Sequence, residues 1–229
     1  MTLKKSTEFK YVDRNFKDTI ALIPGWAADY RMFELLDLKF NYLIPISLFP
    51  DDFEKKLESV LHINKIEKFS LLGLSMGGFL SAAFAEKNEN IIDQLILVGI
   101  RKQYKAEELA TVRGYLTKGK KAFLQQFYLS CLWGSQRQGY FAKNLLEKYA
   151  EEFDLEYLLE TLDYLKGATI TPRMLENIKK VKIIHGEHDN VAPIEEARYI
   201  NDKLPNASFI EIKNSGHIPP FNQSFAKLI

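Results

Sequence analysis

Residues 69–87 read FSLLGLSMGGFLSAAFAEK, and the change of periodicity inside this stretch decides the fold. Residues 69–73 form a short, continuous apolar run, the pattern of a strand buried on both faces. Residues 76–87 carry small and apolar side chains over three turns and read as a helix. Between them lies Gly73-Leu74-Ser75-Met76-Gly77, a G-x-S-x-G pattern in which the serine occupies a strained strand-to-helix turn. The flanking glycines give that tight turn its room. Ser75 is therefore the candidate nucleophile, with a glycine-rich helix start capped by a serine as the plainer reading.

Working outward, similar apolar runs recur at 19–23, 41–46, 94–98, 181–185 and 207–212. Helical stretches at 53–61 and 194–204 alternate with them, so the chain predicts a doubly wound, mostly parallel α/β sheet flanked by helices. The alternation breaks once. Residues 101–180 show no convincing strand and read as helices at 106–116, 120–132, 138–149 and 155–165. We expect one domain over residues 1–229, with a helical cap over about 102–175 inserted after the strand near 94–100.

A serine hydroxyl needs a base to take its proton, and histidine does this near neutral pH. A carboxylate then fixes the imidazole tautomer. Two later strands supply both groups. The run at 181–185 leads into His185-Gly186-Glu187-His188-Asp189, and the run at 207–212 leads into Lys213-Asn214-Ser215-Gly216-His217. Asp189 and His217 thus lie beyond the carboxyl ends of strands, on the rim where open α/β sheets bind ligands. Glu187 is the competing acid; His62 has no partner nearby, and His185 and His188 are expected to support the acid loop. His185 and His188 lack a third ligand for zinc, so neither a metal nor a cofactor is expected.

Acyl transfer also needs donors for a developing oxyanion. The backbone N–H of Met76, directly after the serine, is one candidate. The loop after residues 19–23 reads Pro24-Gly25-Trp26-Ala27-Ala28-Asp29, and the N–H of Trp26 is the second. In the cap, Phe123, Phe127, Tyr128 and Trp133 recur at helical spacing with Leu116 and Leu124 nearby, which suits either an apolar acyl pocket or ordinary packing.

Bulk composition excludes several classes. Lys+Arg 31 against Asp+Glu 30 gives no charge bias toward nucleic acid or a membrane surface. Cys131 is the only cysteine, so no internal disulfide can form. The apolar runs are too short to span a bilayer, and no signal-peptide pattern opens the chain, so a cytoplasmic protein is expected.

The segments GLSMGG, IPGWAADY, GEHDNVAP and SGHIPPF, in their order around a helical insertion, resemble the α/β-hydrolase superfamily from near residue 18 to the end. Within it the chain looks most like BioH-type esterases. The Gly25-Trp26 pair, Asp189 with Pro193, and His217-Ile218-Pro219-Pro220-Phe221 carry that likeness. Pro24 departs from it, because the family usually has histidine before this glycine, and Ala27 stands where glycine often follows the tryptophan. The resemblance implies an α/β-hydrolase fold and a serine carboxylic-ester hydrolase working through an acyl-enzyme, with pimeloyl-acyl-carrier-protein methyl ester as the finer substrate. Small-molecule carboxylesterase, thioesterase, menaquinone-pathway-type lyase and ligand receptor are the alternatives on the same scaffold. It also implies an acidic acyl carrier docked on the cap. Residues 101–143 are strongly basic, with Arg101, Arg113, Lys120, Lys121, Arg137 and Lys143 among their cations, whereas residues 144–163 are strongly acidic.

Overall fold

The computed structural model describes residues 6–132, 138–219 and 223–229. Trp133, Arg137, Pro220 and Phe221 lie outside the described residues, as does the side chain of Lys143.

Seven strands form one sheet: β1 (Glu8–Val12), β2 (Thr19–Ile23), β3 (Asn41–Ser47), β4 (Phe69–Leu74), β5 (Ile92–Val98), β6 (Val181–Gly186) and β7 (Ala207–Ile212). Their order is β1-β3-β2-β4-β5-β6-β7, with β1 antiparallel to β3 and every other pair parallel. β2 and β4 are buried along their whole length, as apolar runs covered on both faces require. The flanking helices are α1 (Phe53–Ile63), α2 (Met76–Lys87) and α7 (Ile194–Asp202); α2 packs over β4 and β5, and α7 over β6 and β7.

Six strands fall where the apolar runs place them. β1 was not anticipated. It is an edge strand with one neighbour, and Glu8 and Lys10 alternate with Phe9 and Tyr11, so it never forms the continuous apolar run of its buried sisters.

Between β5 and β6 lie α3 (Ala106–Cys131), α4 (Gln138–Glu152), α5 (Leu155–Gly167) and the short α6 (Pro172–Leu175). The two helices expected at 106–116 and 120–132 are both present within α3: Gly119 leaves helical geometry (φ −174, ψ 77) and separates them by a kink. The insertion is closed at its base, where Gln103 bridges Thr169 and the N–H of Ile170 donates to Lys102 O at 2.8 Å. Among the described residues no helix is long and apolar enough to cross a membrane.

Gly186, at the end of β6, passes against the loop after β7: a Cβ there would sit 2.0 Å from the carbonyl oxygen of Gly216. The exchange Gly186→Ala should therefore lower stability by about 3 kcal/mol, or prevent folding, since a backbone contact of this kind has no flexible atom to yield. In contrast, Gly114 lies within α3 with nothing near its Cβ position. Gly114→Ala should stabilise the protein by about 0.5–1 kcal/mol. Denaturant titration of both variants checks the pair.

Candidate active site

Ser75 sits between β4 and α2 with φ 52 and ψ −114, a backbone conformation that is strained for any residue with a side chain. Its N–H donates to Val98 O at 2.9 Å, while its carbonyl accepts from Gly78 N–H at 2.8 Å and starts α2. Two glycines allow this. A Cβ on Gly73 would lie 2.4 Å from Gly77 O, and one on Gly77 would lie 2.3 Å from Ile23 O. The serine is 7% exposed.

The acid loop folds around Asp189. Its Oδ1 accepts from the N–H groups of Val191 and Ala192, each at 2.8 Å. Its Oδ2 lies 2.8 Å from His217 Nδ1 and 3.2 Å from His185 Nε2. Burial of this carboxylate opposes its charge, but His217 and His185 together outweigh that and hold it well below the usual carboxylate range. Asp189 therefore stays ionised and orients His217 through Nδ1. Glu187 does not compete for this place: its carboxylate accepts from Asn214 N–H at 3.0 Å and faces Lys213 at 3.1 Å.

His217 is 3% exposed and lies over Gly99, whose φ of 57 suits a glycine. A Cβ at Gly99 would come within 3.1 Å of His217 Nδ1, so the missing side chain is the space the imidazole uses. Gly99 follows Val98, the residue that receives the Ser75 N–H, so Ser75 and His217 stand at the ends of the adjacent strands β4 and β5. Among the described residues no hydrogen bond joins Ser75 Oγ to His217.

A cavity of about 470 Å³ opens over Ser75, lined on its apolar side by Trp26, Phe123, Phe127, Leu162 and Leu165. The rings of Trp26 and Phe127 meet edge to face at 5.4 Å, and Phe127 stacks on Phe123 at 6.1 Å. Of the pocket residues expected from the sequence, Phe123 and Phe127 line this space. Tyr128, Leu116 and Leu124 belong to the buried core. Gly25 brings the Trp26 loop beside the serine: its Cβ position is 3.2 Å from Ser75 Cβ. Met76 is the first residue of α2, so its N–H has no intrahelical partner.

The sequence reading missed Tyr104, took Arg101 only as one cation of the cap, and expected His185 to support the acid loop. Tyr104 lines the cavity, and its hydroxyl interacts with Ser75; burial pushes the phenol up to about 12, with the serine acting against that shift. The guanidinium of Arg101 lies 4.5 Å from the Tyr104 ring centroid and donates to Val191 O at 3.2 Å. His185 touches Asp189 directly and also sits 2.9 Å from Ala192 O. Both Arg101 and Tyr104 follow β5 on the same rim as Ser75, which was the available signal.

A family model described as the alpha/beta hydrolase fold matches residues 44–134. The chain superposes on a bromoperoxidase from Bacillus anthracis with a TM-score of 0.81 at 20% identity, covering 97% of this chain and 95% of that one. An esterase from Exiguobacterium antarcticum superposes with a TM-score of 0.79 at 18% identity, covering 92% and 89%. Protein ECM18 of Saccharomyces cerevisiae is 23% identical over 80% of this chain, which spans about half (53%) of that relative's length. The chain thus has the α/β-hydrolase fold, with the seven-stranded, mostly parallel sheet those structures share.

Asp189→Asn should slow any reaction that uses His217 as base by about 10⁴, because the amide selects the wrong tautomer, whereas Glu187→Gln should be mild. The same change removes stability. A carboxylate held below its ordinary value stabilises the fold above that value and loses this as pH falls through it. The gap in Tm between Asp189→Asn and the native chain should be widest near pH 7 and narrow below about pH 4. Steady-state kinetics and melting curves across pH test both.

Proposed function

We propose that the chain is a serine carboxylic-ester hydrolase that works through an acyl-enzyme on Ser75. The observation that carries this is the buried Asp189–His217 pair at the end of the strand beside the strained Ser75, under an aromatic-walled cavity. In this reading His217 Nε2 takes the proton of Ser75 Oγ as the oxygen attacks the ester carbonyl. The carbonyl oxygen becomes an oxyanion facing the N–H groups of Met76 and Trp26. The tetrahedral intermediate then collapses, and His217 returns the proton to the departing alcohol. Water attacks the acyl-enzyme by the same route and frees the acid. Attack by the serine needs Ser75 Oγ within hydrogen-bond reach of His217 Nε2 when substrate is bound.

The acyl group fits the space between Trp26, Phe123 and Phe127. We place a small apolar ester there in preference to a carrier-linked one. The BioH-type reading needs free cations on the cap, yet Arg113 pairs with Asp163 and Lys121 with Glu151 at 2.7 Å. Lys120 donates to the carbonyls of Glu151 and Phe153. Two cations of the basic half thus face carboxylates of the acidic half, and a third is held by carbonyls of that half.

Ser75→Ala should stay folded and lose about 10⁴ or more in turnover of p-nitrophenyl esters, and a fluorophosphonate should label the native chain at Ser75 alone. A variant keeping a tenth of native activity would sink the nucleophile assignment. On a panel that includes an acyl-carrier methyl ester, the free esters should be the better substrates. Reversing Arg113 and Lys121 to Glu should leave their relative rates unchanged; a selective loss on the carrier ester at low salt would restore the carrier reading.

Phe127→Ala should shift the preferred acyl chain to longer ones, changing the ratio of long to short esters by about tenfold. An equal loss on all lengths with a lower Tm would make Phe127 a packing residue.

A further inference from the structure

Each of the three long cap helices reaches the loop 25–29. From α3 the Tyr128 hydroxyl donates to Ala27 O at 2.6 Å, a buried bond. From α5 the carbonyl of Leu158 accepts from Trp26 Nε1 at 3.0 Å. From α4 the Tyr149 hydroxyl donates to Asp29 Oδ1 at 2.8 Å. The residue at the centre of this set is strained: Ala27 has φ 56, a left-handed conformation that alanine enters at a cost and glycine enters freely. Burial keeps the Tyr128 phenol protonated and so a donor. One turn further along α3, Cys131 O accepts from Ile218 N–H at 2.9 Å, next to His217. The last turn of α3 therefore grips both the loop of the proposed oxyanion donor and the loop of the base.

We propose that Tyr128 is a positioning residue, whose hydroxyl holds Ala27 in its left-handed conformation so that the N–H of the preceding Trp26 stays aimed at the developing oxyanion. The inference rests on the ester-hydrolase reading of Ser75. Tyr128 is walled off from the cavity and touches no reacting atom; its effect runs through the Ala27 carbonyl and the turn it fixes. Without that bond, Ala27 relaxes toward negative φ, and the backbone on either side, Trp26 included, must swing with it. The loss falls on the transition state, because the Trp26 indole stays anchored to Leu158 O at 3.0 Å and Phe123 and Phe127 lie outside the turn, so the walls around an apolar acyl group hold while the Trp26 N–H turns away.

Tyr128→Phe keeps the ring and removes only the hydroxyl. On a neutral p-nitrophenyl ester it should lower kcat by about 10- to 100-fold with KM within about twofold. An alkyl boronic acid, which forms a tetrahedral adduct on the serine, should bind weaker by a similar factor. Adding Ala27→Gly to Tyr128→Phe should recover most of the lost kcat, because glycine holds the turn without strain; a structural lesion elsewhere would not respond to it. If Tyr128→Phe does not fold alone, kcat of the double variant is set against that of Ala27→Gly, and the two should agree within about threefold. The inference is overturned by an unchanged kcat in folded Tyr128→Phe, by a loss that Ala27→Gly leaves untouched, or by a double variant far slower than Ala27→Gly. Ser75→Ala in the same assay separates the two levels: retained activity there removes the hydrolase reading, whereas a dead Ser75→Ala with a fully active Tyr128→Phe removes the role of Tyr128 alone.

Discussion

Gly77, in the first turn of α2, passes so close to the carbonyl of Ile23 that a single carbon atom between them would sit 2.3 Å from the oxygen. That approach draws the start of α2 down onto the ends of β2 and β4. It leaves the residue between β4 and α2 no ordinary conformation, and Ser75 takes φ 52 as a result. The strain is held by the bond from Ser75 N–H to Val98 O and by the helix that begins at the serine carbonyl. Because Val98 precedes Gly99, the same tie fixes how far the serine stands from the imidazole above Gly99. Close backbone packing at one turn thus sets the geometry of the whole rim.

A second constraint is electrostatic. Asp189 is fully buried at the side chain, where an unpaired carboxylate would take up a proton. Two backbone N–H groups and two imidazoles prevent this, and the arrangement is asymmetric: one oxygen serves the loop's own amides, the other faces His217 and His185. The carboxylate that stays in water, Glu187, binds the loop of Lys213 and Asn214 and stitches the acid loop to the histidine loop from outside. Neighbouring carboxylates on one turn divide the work between orienting a ring and holding a backbone.

Much of this was legible in the residues. Continuous apolar runs marked six strands, and the start of the helix after Ser75 was read correctly because glycine and serine mark it, its end lying at Lys87 before Asn88. Asp189 and His217 were legible because both follow strands on one rim. What stayed hidden depends on partners distant in sequence. β1 has the alternating pattern of a half-exposed edge. Tyr128 looked like one more aromatic on a cap helix, since nothing local reveals a bond to Ala27. The charge runs of the cap were visible, but not that Arg113 and Lys121 face Asp163 and Glu151 across helices. Periodicity reports burial; it does not report which buried hydroxyl meets which carbonyl.

The kink at Gly119 divides α3 into two lengths with different obligations. Beyond it, the segment holding Phe123, Phe127, Tyr128 and Cys131 is bound to the loops of the sheet. Before it, the outer length carries the exposed Tyr115, and Gly114 has free space around it. Chain enters and leaves the insertion at a single bridge, Gln103 to Thr169, so changes of length inside it need not disturb the sheet. Over evolutionary time such a helix is free to drift at the exposed positions of its outer half, Tyr115 among them, while buried Leu109 and Leu116 and the inner half stay fixed. Descendants of this chain can then explore new ligands by altering the roof and leave the machinery beneath untouched.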